Sequence, residues 1–218
     1  MTTNAAPSAR RSRRGAILPA TYYDRDTRLV ARDLLGAVLE CESPEGVATG
    51  RIVETEAYLG ADDPACHAIA GITERTRHLH GPPGIAYVYL IYGMHWCLNA
   101  VTEPEGVGSA VLIRAIEPMD GVPLMRERRP AARRDADLTN GPGKLCAALG
   151  IDGRLDGHRL QRKPLVIREG SPVPDADVEV TPRIGITQAA EWPLRWLVRG
   201  NPYVSRTPSH FTRTPYGA

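Results

Sequence analysis

Between Gly84 and Val101 the chain alternates with a period of two on both sides of a glycine turn. Ile85 to Ile91 puts Tyr87, Tyr89 and Ile91 on one face and Ala86, Val88, Leu90 and Tyr92 on the other, and β-branched and aromatic content favours a strand. Gly93 permits a tight turn. Met94 to Val101 then returns with His95, Cys97 and Asn99 alternating against Trp96, Leu98 and Ala100. The pattern predicts a β-hairpin with Tyr92 at or near its tip. A tip tyrosine has little to pack against within its own hairpin. Contact with a neighbouring loop accounts for it, and so does wedging between stacked bases; alternation and composition do not choose between these.

A second stretch, Arg51-Ile-Val-Glu-Thr-Glu-Ala-Tyr-Leu-Gly60, sets two carboxylates into a β-rich apolar run. An ionised side chain there is costly unless it is partnered or used. Read as a strand, Ile52, Glu54, Glu56 and Tyr58 share one face. Successive positions on that face lie roughly 7 Å apart, which leaves room for a water or a sugar carbon and falls within the spacing of an acid and base at a glycosidic bond. A solvated strand face gives the same alternation. Beside the hairpin, which holds three of the eight tyrosines, the pair looks like part of a base-handling site.

The rest of the chain predicts a helix near Thr27 to Leu35 ended by Gly36, strands near 37–42, 47–58, 110–116 and 164–168, and a helix near 143–149. The Pro/Arg-rich stretch from Gly121 to Asn140 reads as a long surface loop. Residues 1–16 read as a disordered basic arm and residues 208–218 as a flexible tail, flanking one domain over 17–207. The fold class expected is a single mixed α+β domain built around a curved antiparallel sheet with a protruding hairpin.

The net charge of +2 is too small to announce a nucleic-acid binder, but its distribution is uneven. Arg10, Arg11, Arg13 and Arg14 form a basic cluster, and from Pro182 onward five arginines face the single Glu191. Such clusters are expected to contact phosphates, although the arm alone also reads as a solvated charge run. Cys41, Cys66, Cys97 and Cys146 have no metal or redox spacing, no secretory apolar region follows the N-terminal arginines, and no transmembrane segment is evident. A reduced, cytoplasmic protein, nucleoid-associated if bacterial, is the natural expectation. His78 and His80 lack further Cys or His ligands at a closing distance, so no metal or other cofactor is expected. Lysine occurs only at 144 and 163, which argues against a Schiff-base mechanism.

These residues resemble the methylpurine type of alkyladenine (3-methyladenine) DNA glycosylases. Arg51 to Gly60 is followed in family order by His67, by Gly81-Pro-Pro-Gly84 leading into Tyr87-Val-Tyr-Leu-Ile-Tyr-Gly-Met94, and by Val111-Leu-Ile-Arg-Ala-Ile-Glu-Pro118. Gly141-Pro-Gly-Lys-Leu-Cys146 and Pro182-Arg-Ile-Gly185 complete the series, and the likeness runs from about Arg28 to Ser205. Between His67 and Gly81 the pattern departs: Thr73-Glu-Arg-Thr76 and Leu79-His80 stand where the family has a Thr-Pro-Arg-Asn run and an apolar Met-Phe pair.

The resemblance implies a monofunctional enzyme that turns a damaged purine out of duplex DNA and hydrolyses its N-glycosidic bond, with 3-methyladenine as the safest substrate and hypoxanthine next. It implies Glu56 as general base, Arg114 beside it, Tyr58 and Tyr89 sandwiching the base, and His67 lining the pocket. Asn99 would disfavour guanine and Tyr92 would fill the vacated stack. The partner implied is double-stranded DNA containing damaged purines, and an extended DNA-facing surface leads to the expectation of a monomer. Two rivals keep part of the residue set: a non-catalytic binder of damaged or single-stranded nucleic acid, and a hydrolase of free nucleosides using Glu54 and Glu56 as its acid pair.

Overall fold

The computed structural model describes residues 15–217. The arginines of the expected N-terminal arm lie outside these residues. Two short helices, α1 (Ala20–Tyr23) and α2 (Thr27–Asp33), precede the strands β1 (Val38–Ser43), β2 (Gly46–Leu59), β3 (Ala86–Ile91), β4 (His95–Thr102) and β5 (Ser109–Pro118). Helices α3 (Val122–Arg128) and α4 (Pro142–Leu149) follow. The chain ends in β6 (Gln161–Arg162), β7 (Leu165–Arg168), β8 (Val178–Thr181), β9 (Arg195–Val198) and β10 (Thr214–Pro215). All ten strands form one open antiparallel sheet, so the molecule is the single mixed α+β domain that the alternation predicts.

The 14-residue β2 organises this sheet. One edge pairs with β5 along most of its length, while the other pairs first with β1 and then, over Glu54–Glu56, with β9. The change of partner coincides with two register shifts, one between Ile52 and Glu54 and one between Glu54 and Thr55. Because Glu54 opposes Ala115 and Thr55 opposes Ile113, Arg114 is skipped by the ladder. Irregularities of this kind bend a strand and re-aim a side chain. They also correct one expectation. Ile52 does not share a face with the acids; it joins Ala57, Val111 and Ile113 in the main core, since the shift reverses the inside–outside phase.

The two sheet faces are chemically distinct. Ile52, Ala57, Val88, Leu98, Ala100, Val111 and Ile113 pack with Val30 and Ala31 of α2, with Leu34 at its C-cap, and with Leu145 and Leu149 of α4. Thr55 on that side donates to Ala31 O at 2.8 Å, giving a β-branched polar residue in the core a partner. On the other face a smaller cluster of Cys66, Leu79, Ile85, Tyr87, Val101 and Ala110 packs beneath Tyr58 and Tyr89. The candidate site lies on this second face.

Two expectations about the remainder are corrected. Gly121 to Asn140 is not a loop throughout, because α3 buries Met125 and a 3-10 turn at Asp135–Leu138 buries Leu138. Gly121, at φ 78°, opens α3 where a Cβ would come 2.4 Å from Val47 O. The tail expected to be flexible pairs Thr214–Pro215 with β8, and Tyr216 N donates to Val178 O. Among the described residues, no helix is long and apolar enough to cross a membrane.

Candidate active site

Arg114, aimed by the break in its ladder, bridges the two acids of β2. Its Nε donates to Glu54 Oε1 at 3.0 Å and its Nη1 to Glu56 Oε2 at 3.1 Å. Glu56 also accepts from the Tyr58 hydroxyl at 3.0 Å and, through Oε1, from the Ile184 backbone N–H at 2.8 Å. Both carboxylates are fully buried. A buried carboxylate persists only where donors replace its water, and here each acid has at least three.

Glu54 is more heavily occupied. It accepts from Arg195 Nε at 2.7 Å and from the Ser205 hydroxyl and backbone N–H, both at 2.7 Å. Burial pushes its pKa up, but the two guanidinium groups and Ser205 outweigh that and hold it below the ordinary carboxylate range. The Arg114 guanidinium, which burial alone would lower, is held above its usual value by the two acids.

A cavity of about 160 Å³ opens beside this array, with Tyr58, His67, Tyr89, Asn99 and Arg114 among its lining. Tyr89 meets His67 edge-on with centroids 4.6 Å apart. The buried Tyr87 hydroxyl hydrogen-bonds His67 Nδ1 at 2.9 Å, which orients the ring and leaves Nε2 as its other polar edge. Burial, assisted by the charge of Arg75, lowers the His67 pKa, so the imidazole is neutral near pH 7. Burial and the neighbouring Glu56 charge raise Tyr58 well above a normal phenol, keeping it a donor. Asn99 donates from Nδ2 to Tyr87 O at 3.0 Å across the β3–β4 pair. Behind Tyr58, the Arg183 guanidinium lies 4.6 Å from the ring centroid, a cation–π contact that fixes the phenol from outside the cavity.

Tyr92 stands apart from this group. It lies at the tip of the hairpin that carries Tyr89, 80% exposed, with a φ of 53° followed by Gly93 at 70°. A non-glycine residue in this region costs roughly 1–2 kcal/mol, and Met94, two residues on, is also exposed. The structure therefore groups Tyr58, His67, Tyr89, Asn99 and Arg114 around one cavity, holds Glu56 behind its wall on Tyr58, Arg114 and Ile184, and leaves Tyr92 outside it on the same hairpin.

Sequence reasoning missed Arg195, Ser205, Ile184 and the Arg183–Asp63 pair. Their contacts to β2 span more than a hundred residues of chain; Arg183 and Ile184 fall in the Pro182-Arg-Ile-Gly185 motif, which by itself gives them no role, and no local pattern marks Arg195 or Asp63. The expectation that the C-terminal arginines contact phosphate is corrected for two of the five. Arg183 and Arg195 are fully buried, and Arg199 and Arg213 pair with Glu179. In the stretch that departs from the family pattern, Leu79 is buried against the cavity and Arg75 lies 5.4 Å from the Tyr89 centroid. His78 bonds Asp156 at 2.7 Å and His80 faces Gly106 O. Among the described residues, no group of three or more His, Cys, Asp or Glu could hold a metal ion.

The buried acids make stability pH-dependent. Glu54 and Asp63 are both held below their ordinary values of 4.5 and 3.8. Their contribution is therefore complete above those values and is lost as pH falls through the depressed ones. Thermal unfolding is expected to give a level melting temperature at neutral pH that drops steadily below about pH 4. A melting temperature unchanged down to about pH 2 would show that these carboxylates contribute nothing.

The order of elements, the paired acids on one strand and the aromatic cavity all invite comparison with known proteins. A family model described as Methylpurine-DNA glycosylase (MPG) matches residues 21–202. A protein of Salinibacter ruber named "Putative 3-methyladenine DNA glycosylase" is 51% identical over 200 residues, covering 86% of this chain and 96% of the relative. Proteins of the same name from Rubrobacter xylanophilus and Methanoculleus marisnigri are 57% and 50% identical, covering 77% and 87% of this chain and 86% and 98% of theirs. With most of its length matched, the chain belongs to the methylpurine-DNA glycosylase family, whose members hydrolyse N-glycosyl bonds in DNA.

Proposed function

We propose that the enzyme acts on duplex DNA containing damaged purines, turning the damaged nucleotide into the aromatic cavity and hydrolysing its glycosidic bond at Glu56. One observation carries this reading: a buried carboxylate held by Arg114, Tyr58 and the Ile184 amide stands beside the cavity, and the same hairpin that supplies Tyr89 presents Tyr92 to solvent. Glu56 orients and deprotonates the attacking water, and its charge stabilises the oxocarbenium-like transition state. Arg114 donates to it from Nη1 and fixes its orientation.

The walls select the base. Tyr58 and Tyr89 stack on it, and the rings favour electron-poor or cationic purines. His67, neutral near pH 7, offers a hydrogen-bonding edge without repelling a positive base. Asn99 disfavours the exocyclic amine of guanine. 3-Methyladenine is the principal substrate, with hypoxanthine, ethenoadenine and 7-methylguanine as further candidates separated by fit at the level of a methyl group. No lysine lines the cavity, and Lys144 Nζ bonds Asn140 at 2.6 Å, so the reaction ends at an abasic site without strand cleavage. The enzyme works as a monomer in the cytoplasm.

The nucleoside-hydrolase reading fails on Glu54. An acid that accepts from two guanidinium groups and from Ser205 has no proton to give a leaving group.

Tyr92→Ala tests the flipping step. Filling the vacated stack offsets part of an unstacking cost of a few kcal/mol, so the variant should lose about tenfold or more in base release from lesion-bearing duplex. Release from the same lesion in single-stranded DNA should change little, because nothing has to be unpaired. Equal losses on both substrates would remove Tyr92 from the flipping step.

A further inference from the structure

Arg114 is one guanidinium between two buried acids, and its allegiance is divided: Nε serves Glu54 and Nη1 serves Glu56. Arg195, on β9, approaches Glu54 from the other side at 2.7 Å and is itself fully buried, its Nη1 donating to the Thr181 hydroxyl at 2.9 Å. The ionisable groups facing Glu56 are Glu54 and Tyr58 on its own strand, Arg114 on β5, Tyr89 on β3, Cys97 on β4 and Arg183 on the segment after β8. Arg183 is matched by Asp63. Within the core of the array, two acids face two guanidinium groups, and the balance holds only with Arg195 present.

We propose that Arg195 and Glu54 are positioning residues for the reaction: Arg195 neutralises Glu54, which leaves Arg114 to hold Glu56 as the carboxylate that activates water. This rests on reading Glu56 as the base. If Arg195 loses its charge, two buried carboxylates share one cation and the pair takes up a proton at higher pH. If Glu54 loses its charge, Glu56 is the one carboxylate left beside two buried guanidinium groups, Arg114 in contact and Arg195 beyond it, and the proton is taken up at lower pH. The two changes act in opposite directions on one observable, which a purely structural role would not produce.

The test is the pH dependence of kcat/KM for base release from methylated duplex DNA by the full chain. Arg195→Gln is expected to displace the acid limb upward by about 1–3 pH units and Glu54→Gln to displace it downward. The double variant is expected to return the limb close to the wild-type position, and Arg195→Lys, which keeps the charge, to leave it there. Should Arg195→Gln fail to fold, Glu54→Gln and the double variant still decide the matter. A lowered plateau with the limb unmoved in all variants would overturn the coupling alone. Base release retained by Glu56→Gln would instead overturn the assignment of the base, and the coupling with it.

Discussion

Glu56→Gln is expected to reduce the rate of base release from lesion-bearing duplex by about 10²–10⁴-fold, the range that a positioned general base contributes. The amide is nearly isosteric and keeps one acceptor oxygen for the Ile184 N–H, while its NH2 group replaces the oxygen that accepts from Arg114 and from the Tyr58 hydroxyl, which can turn to accept instead. It cannot take a proton from water, and it removes the negative charge beside the developing oxocarbenium ion. Lesion binding should survive, because Tyr58, His67, Tyr89 and Asn99 line the cavity independently of that charge. Single-turnover release, scored as alkali-labile sites, read together with binding to the same duplex, separates the two effects. Release within about tenfold of wild type would mean that water is activated elsewhere.

That expectation depends on which parts of the site local sequence can report. Period-two alternation located the hairpin, since Ala86–Ile91 and His95–Thr102 pair in register around Tyr92 and Gly93. It also put Glu54, Glu56 and Tyr58 on one face, where Arg114 and the Tyr58 hydroxyl now join them. It failed at Ile52, because a register shift is a property of two strands and leaves no trace in either one alone. Strands β8 and β9, four residues each, escaped notice in a segment interrupted by Pro182, Gly185 and Pro193. The same segment misled the charge argument. An arginine that will fork a buried carboxylate is indistinguishable in sequence from one that will meet a phosphate, and only the partner's position decides. Arg195 and Arg183 found theirs on and beside β2, 141 and 120 residues away.

The Arg183–Asp63 pair carries the second large effect: Asp63→Asn is expected to destabilise the protein by about 3–5 kcal/mol, the cost of stranding one member of a buried ion pair. Neither side chain is exposed. Asp63 Oδ1 accepts from Arg183 Nη2 at 2.8 Å and from Ala65 N at 3.0 Å, and its other oxygen accepts from Leu59 N at 3.2 Å. The carboxylate thus closes the turn after β2 while neutralising a cation that also reaches Ala57 O at 3.0 Å. Asparagine keeps an acceptor for the backbone but leaves Arg183 charged and without a counter-ion. At roughly 2–4 °C per kcal/mol for a domain of this size, the melting temperature should fall by about 10 °C. Adding Arg183→Met should recover part of the loss, since a buried pair replaced by apolar contact is often near neutral. The double variant also loses the cation behind Tyr58, so recovered stability should come with base release still impaired. A melting temperature for Asp63→Asn within about 2 °C of wild type would show that water reaches Arg183 and that the pair is not the clamp its burial implies.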